Sequence, residues 1–293
     1  MNSSTPPSSS PFAYVAVLYH PKIEATQPIA TDIQAWLGAQ RVRTEKAPTW
    51  DERAVRPMLA QVDLAIVLGG DGSMLRAARM GAEHGVPIMG VNMGRVGFLT
   101  EVTPDNWPQK LPRVLAGDYW IEERMMLHSS AWRDGEGIGE HIALNDVVIS
   151  RGNLARVVQL RTEIDGDELT TYVADGLIVS TPTGSTAYAL AVGGPILPPE
   201  LRNILVIPIA PHLTLDRAIV LSQGSRVRVH VYTDHEAILT VDGQFAFEME
   251  SGDHVDVCAS DDVSRFVRLD KRTYFYHMLL ERLTPKQPDE IDR

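Results

Sequence analysis

The chain has 293 residues, of which 44% are hydrophobic and 22% charged, and its formal net charge is −11. That balance excludes whole-chain disorder and argues against a nucleic-acid-coating protein, which presents a basic face. The length favours two domains, because single cores stop growing near ~250–300 residues. The first twelve residues, MNSSTPPSSSPF, read as a disordered Ser/Pro tail without the basic start and apolar run of a signal peptide. No apolar stretch approaches the ~20 residues that span a bilayer. Cys258 is the only cysteine, so an intrachain disulfide is excluded and a reducing compartment is the natural setting. A soluble, cytoplasmic protein with no nucleic-acid or membrane partner is expected.

After the tail, residues 14–19 (YVAVLY) form a short apolar run suited to a buried strand. A helical pattern follows over 31–37, with Thr31 as its expected N-cap. A second buried strand, 64–68 (LAIVL), runs into Gly69-Gly70-Asp71-Gly72-Ser73 and then the helix-forming MLRAARMGAEHG. Residues 86–91 (VPIMGV) read as a third strand. Strands alternating with helices predict a Rossmann-like parallel sheet in an α/β domain over 13–124. Beyond it, runs of β-branched residues separated by turn signals predict a mainly β, sandwich-like domain over 125–260. Asp165-Gly166, between two such runs, is a hairpin signal. Residues 261–293 are expected to return to the first domain, with helical spacing in the middle and a frayed end.

Two elements carry chemistry. In the first, a carboxylate (Asp71) sits between glycines at the carboxyl end of a buried strand. It faces the crevice where open α/β sheets bind ligands, beside a helix amino end that favours phosphate. The loop is neither a Walker loop nor G-x-G-x-x-G. In the second, a buried strand gives way to Thr181-Pro182-Thr183-Gly184-Ser185-Thr186, then to the helix-capable AYALAV and a Gly-Gly-Pro turn. Its hydroxyls form a dense set of donors suited to a ligand with many oxygens and a flat ring, against which Tyr188 would pack. Asn145-Asp146 and Asp242-Gly243-Gln244 flank strand-like runs, and His212 lies in IAPHLTL. Taken singly, those three are more often turns or structural residues.

Taken together, four blocks resemble the NAD kinase family: GGDGSMLRAAR at 69–79, NMGRVGFLTEV at 92–102, LNDVVISRG at 144–152 and DGLIVSTPTGSTAYALAVGGPIL at 175–197. The first block alone is also similar to those of phosphofructokinases and of diacylglycerol or sphingosine kinases; the last is specific. The resemblance implies an NAD kinase/diacylglycerol kinase-like fold and transfer of a phosphoryl group from ATP or polyphosphate to the 2′-hydroxyl of the adenosine ribose of NAD. It makes Asp71 the proton acceptor or orienting group, with Gly72 and Arg76 beside the phosphates. It gives Asn145 and Asp146 the adenine edge and ribose hydroxyls, and Thr186, Ala187 and Tyr188 the adenine pocket. It gives Asp175 the nicotinamide end, Arg156 a basic contact, and Ala191, Ala210 and Gln244 further pocket positions. Three positions depart from common relatives: Asp146 stands for Glu, Val173 for Arg or Lys, and Ala191 for Ser. The last two bear on affinity and on the choice between NAD and NADH, while Asp146, one methylene shorter, keeps the role if its backbone sits closer or a water bridges the gap. Mg2+, or another divalent cation, is implied on the nucleotide phosphates without a fixed protein cage, and a homodimer or homotetramer is implied as the assembly.

Overall fold

The computed structural model describes residues 11–94, 97–152 and 156–283. The chain divides into two compact units, one of residues 1–122 and 265–293, the other of residues 123–264.

In the first unit, β1 (Tyr14–Tyr19), β2 (Arg43–Pro48), β3 (Leu64–Gly69) and β4 (Pro87–Asn92) form a parallel sheet in the order β2-β1-β3-β4. The strands β1 and β3 are almost wholly buried and apolar because helices cover both faces of such sheets. Helices α1 (Thr26–Ala39), α2 (Glu52–Leu59), α3 (Asp71–Ala82) and α4 (Trp107–Leu115) make the connections. Phe12, within the segment assigned to the tail, is buried in the core and stacks on Tyr119. Thr31 is not an N-cap: α1 starts five residues earlier, and the Thr31 hydroxyl donates to the Gln27 carbonyl within it. The buried stripe Thr26, Ala30, Ile33 and Leu37 sets the start, and Pro28 is tolerated in the first turn. The sheet order reverses between β1 and β3, which places the switch point beside the carboxyl end of β3, where Asp71 opens α3.

Residues after 264 belong to this unit. Arg265 and Phe266 pair with β4, and a helix spans Tyr274–Leu283. Arg268, only 1% exposed, donates to Glu122 and to the carbonyls of Phe98 and Leu99, and lies 3.6 Å from Glu101. The Tyr274 hydroxyl joins Arg268 to Glu122. Burial alone would lower the Arg268 pKa, but its Tyr274, Glu122 and Glu101 partners raise it. The expected frayed end, residues 284–293, lies outside the described residues.

The second unit is mainly β. Its strands are β5 (Trp120–Arg133, which begins in the first unit), β6 (Glu136–Ala143), β7 (Asp146–Arg151), β8 (Val158–Ile164), β9 (Asp167–Ala174) and β10 (Gly176–Ser180). They continue as β11 (Asn203–Ile209), β12 (Ile219–Ser222), β13 (Val227–Tyr232), β14 (Ala237–Val241), β15 (Phe245–Met249) and β16 (His254–Arg268, which ends in the first unit). One antiparallel sheet runs β12-β11-β10-β7-β14-β15; against it packs a layer containing β16-β13-β8-β9. Residues alternating inward from both layers, such as Ile149, Val179 and Val206 from one and Leu160, Tyr172 and Val229 from the other, fill a single core. The β8–β9 hairpin turns through Asp165 and Gly166, both at positive φ (56° and 94°), the type I′ geometry that matches strand twist. The helix expected from AYALAV is only one turn, α5 (Tyr188–Ala191), preceded by a 3-10 turn over Gly184–Thr186. Gly193 and Gly194 fold back onto the Leu190 and Ala189 carbonyls and stop it there. Among the described residues, no helix is long and apolar enough to cross a membrane.

Candidate functional site

Each unit carries its own set of the residues singled out by the sequence. In the first unit, Asp71 is the first residue of α3, with Gly70 extended before it. A side chain on Gly97 would place its Cβ 1.9 Å from Asp71 Oδ1, so the Gly97 backbone lies directly against the carboxylate. Gly72 is exposed at the same helix start. Arg76, one turn on, donates to Glu52 at 2.5 Å and lies over the Trp50 ring at 4.5 Å. Arg79, buried beside it, donates to the same Glu52 oxygen at 3.1 Å. Trp50 and Glu52, from the start of α2, thus hold the guanidinium of Arg76, a support that nothing in the glycine block announces.

In the second unit the sheet register sorts the residues into two groups. At one end, Thr181 N–H donates to the Asn145 carbonyl, Asp242 N–H to the Asp146 carbonyl, and Gln244 N–H to the Val241 carbonyl. Asn145, Asp146, the 181–188 loop and Gln244 therefore gather there. Asp242, missed as a functional residue, organises this end. Its carboxylate accepts from the amides of Leu144 (2.9 Å), Asn145 (2.7 Å) and Asp146 (3.2 Å). Its positive φ (51°) fits the hairpin turn that aims it. The only sequence signal was the Asp-Gly turn, which does not reveal a partner almost a hundred residues away.

The hydroxyl-rich loop is used differently from the expectation. Ser180, Thr181 and Ser185 are fully buried, and their hydroxyls bond to backbone within the unit: Ser180 to the Asn145 carbonyl (3.0 Å), Thr181 to that of Leu144 (2.5 Å), Ser185 to that of Pro182 (2.7 Å). Thr183 is buried too, 3.4 Å from the guanidinium of the buried Arg124. These side chains brace the loop because unpaired buried hydroxyls are costly. Gly184 has no alternative: a Cβ there would lie 2.2 Å from the Asn145 carbonyl oxygen. Left accessible are Thr186, Ala187, Tyr188 (45% exposed) and Ala191. Tyr188 is thus free of the core and open to stack on a ring.

At the other end, Arg151 N–H donates to the Asp175 carbonyl, Asp175 N–H to that of Ile209, and His212 N–H to that of Val173. This gathers Val173, Asp175 and Ala210, the last at an unusual positive φ of 46°. Arg151 grips the Asp175 carboxylate with Nε at 2.8 Å and a second guanidinium nitrogen at 3.2 Å. Arg156, exposed and 3.4 Å from the exposed Asp234, lines a cavity of about 510 Å3 with Tyr232 and His235. Such an exposed pair holds Arg156 weakly. From Asp175 to Thr181 is six residue steps along β10, roughly 20 Å at ~3.3 Å each. Within this unit, then, Asp175 and Ala210 stand apart from Asn145 and Asp146.

Asp146 is the most perturbed of these groups. Burial, and then the Asp242 charge, push its carboxyl up to about 7. Its unfolded value lies near ~3.9, so between about pH 4 and 7 the folded protein holds a proton that the unfolded chain releases. Stability contributed by this group therefore falls as pH rises through that window, by on the order of 1.4 kcal/mol per unit at most. Asp146→Asn should match wild type near pH 4 and be the more stable protein at pH 8. Denaturation midpoints across that range check this, and parallel profiles would contradict it.

Residues 15–119 match the ATP-NAD kinase N-terminal domain and residues 144–269 the ATP-NAD kinase C-terminal domain. The chain belongs to the NAD kinase family. It is 40% identical over 269 residues to the NAD kinase of Chloroflexus aggregans, covering 92% of this chain and 98% of that one. It is 48% identical over 222 residues to that of Heliobacterium modesticaldum, covering 75% and 78%. A solved NAD kinase from Archaeoglobus fulgidus in complex with ATP superposes with a TM-score of 0.75 at 27% identity, over 91% of this chain and 97% of that chain. Yeast NADH kinase complexed with NADH shares the fold (TM-score 0.79, 23% identity, 97% and 94% covered). NAD kinases are phosphotransferases acting on an alcohol group, and this chain is an enzyme of that class.

Proposed function

We propose that this enzyme transfers the terminal phosphoryl group of ATP, or of polyphosphate, to the 2′-hydroxyl of the adenosine ribose of NAD, giving NADP. The observation that carries the reading is Asp71, held against Gly97 at the switch point of the parallel sheet and at the amino end of α3. A ribose hydroxyl is a weak nucleophile at neutral pH, so orientation and proton removal must supply much of the catalysis. The Asp71 carboxylate orients the hydroxyl and takes its proton as the oxygen bonds to the terminal phosphorus. The bond from that phosphorus to its bridging oxygen breaks, and ADP or the shortened polyphosphate leaves. The amino end of α3 favours the phosphates, and Arg76, braced by Glu52 and Trp50, serves as their cation.

Asn145 and Asp146, fixed through Asp242, take the adenosine. Thr186, Ala187 and Tyr188 line its ring, with Ala191 and Gln244 at the rim; Asp175, Ala210 and Arg156 serve the nicotinamide side. Among the described residues, no group of three His, Cys, Asp or Glu side chains is arranged to hold a metal. Mg2+ carried on nucleotide phosphates asks only one or two carboxylates of the protein, which Asp71 fits; bound there it would neutralise phosphate charge. The same reading places the enzyme in the cytoplasm as a homodimer or homotetramer. The test is NADP formation by the purified chain with NAD and Mg2+, supplied in parallel with ATP and with polyphosphate. NADP from at least one donor is expected, and none from folded protein with either would end the proposal.

A further inference from the structure

The NMGRVGFLTEV block lies in the first unit, and its described end, Gly97–Glu101, is locked at every residue. Gly97 N–H donates to the Thr100 hydroxyl at 3.1 Å. The Thr100 methyl fills the space beside Gly90 on β4, where an added Cβ would meet it at 2.6 Å. The Phe98 and Leu99 carbonyls accept from the buried Arg268 at 3.3 and 3.4 Å. Glu101 Oε2 accepts from the Leu269 and Asp270 amides at 2.9 and 3.2 Å. A rigid segment therefore presents a bare backbone to the Asp71 carboxylate: a Cβ on Gly97 would meet Oδ1 at 1.9 Å, Cγ at 2.6 Å and Oδ2 at 2.7 Å. The volume taken by Asp71 leaves no room for a Cβ at this position.

We propose that Gly97 is a positioning residue, the stop against which the Asp71 carboxylate rests, and that Thr100 and Arg268 hold the stop in place. The inference rests on the role given to Asp71 above. The 97–101 backbone is held by the bonds just named, and the atoms an added methyl group would meet are the terminal atoms of a side chain, so the methyl group displaces the carboxylate. The fold loses little, while the hydroxyl loses its aligned acceptor, and misplacement of that order costs rate.

The experiment compares wild type, Gly97→Ala, Thr100→Val and Asp71→Asn for kcat, for KM of NAD and of the phosphoryl donor, and for Tm. Gly97→Ala should lower kcat by at least about tenfold, with both KM values within about threefold. Its Tm should stay within about 3 °C of wild type. Thr100→Val removes the acceptor for Gly97 N–H without adding volume and should also lower kcat more than it raises KM; it carries the test should Gly97→Ala not fold. An impaired Asp71→Asn beside a fully active Gly97→Ala would overturn the stop and leave Asp71 in its role. In a Gly97→Ala that folds, loss expressed in KM or Tm instead of kcat would overturn it as well. A fully active Asp71→Asn would remove the Asp71 assignment, and this inference with it.

Discussion

Asp71→Asn should lower the rate of NADP formation by at least about a hundredfold, the usual range for losing a positioned proton acceptor being ~10²–10⁴. Asparagine keeps the size of the side chain and its place in the first turn of α3, against the Gly97 backbone. What it loses is the capacity to accept a proton from the ribose hydroxyl. NAD binding, which the proposal assigns mainly to residues of the other unit, should stay within about threefold, so the loss falls on kcat and not on KM. Steady-state kinetics with a direct binding measurement separates the two, and a variant with wild-type kcat would strip Asp71 of its role.

The second large effect is one of stability. Arg268→Ala removes a cation from a buried set in which Glu122 and Glu101 are 6% and 7% exposed at their side chains. Breaking a buried pair by deleting one partner strands the other charge and costs ~3–5 kcal/mol. The Phe98 and Leu99 carbonyls lose their donor at the same time. The check is a shift of the denaturation midpoint, set beside Glu122→Gln and the double variant. Because the two groups share one network, the double variant should cost less than the sum of the single ones; strict additivity would mean that Arg268 is held by packing alone.

Much of the fold was legible where burial and period spoke together. The run 14–19 emerged as β1 with those same ends, and the Asp165-Gly166 hairpin closed as its residues required. The elements that escaped notice are those whose sequences dilute the signal. The edge strand β2, RTEKAP, has one face exposed and no apolar run, while α2 carries Pro57 inside it and α4 carries Pro112. Thr31 misled because a hydroxyl residue before an apolar stripe looks like a cap, although the stripe itself begins at Thr26. Asp71 at the start of α3 and Asn145 just before β7 were legible from their local motifs. The supports were not. Asp242 reaches Asn145 across 97 positions and Arg268 reaches Phe98 across 170, separations that no local pattern encodes. The Thr/Ser loop shows a further limit: composition indicated donors, but only the backbone path decides that Ser180, Thr181 and Ser185 spend them inward.

The split of the first unit into residues 1–122 and 265–293 also bears on how the protein comes off the ribosome. Synthesis runs from the amino terminus, so the parallel sheet and its glycine turn are complete in outline long before Arg268 exists. Until that residue emerges, Glu101 and Glu122 lack the Arg268 guanidinium and the 97–101 segment lacks its clamp. The domain begun first is finished last, and a nascent chain halted short of residue 265 would carry the Asp71 turn without the brace behind it.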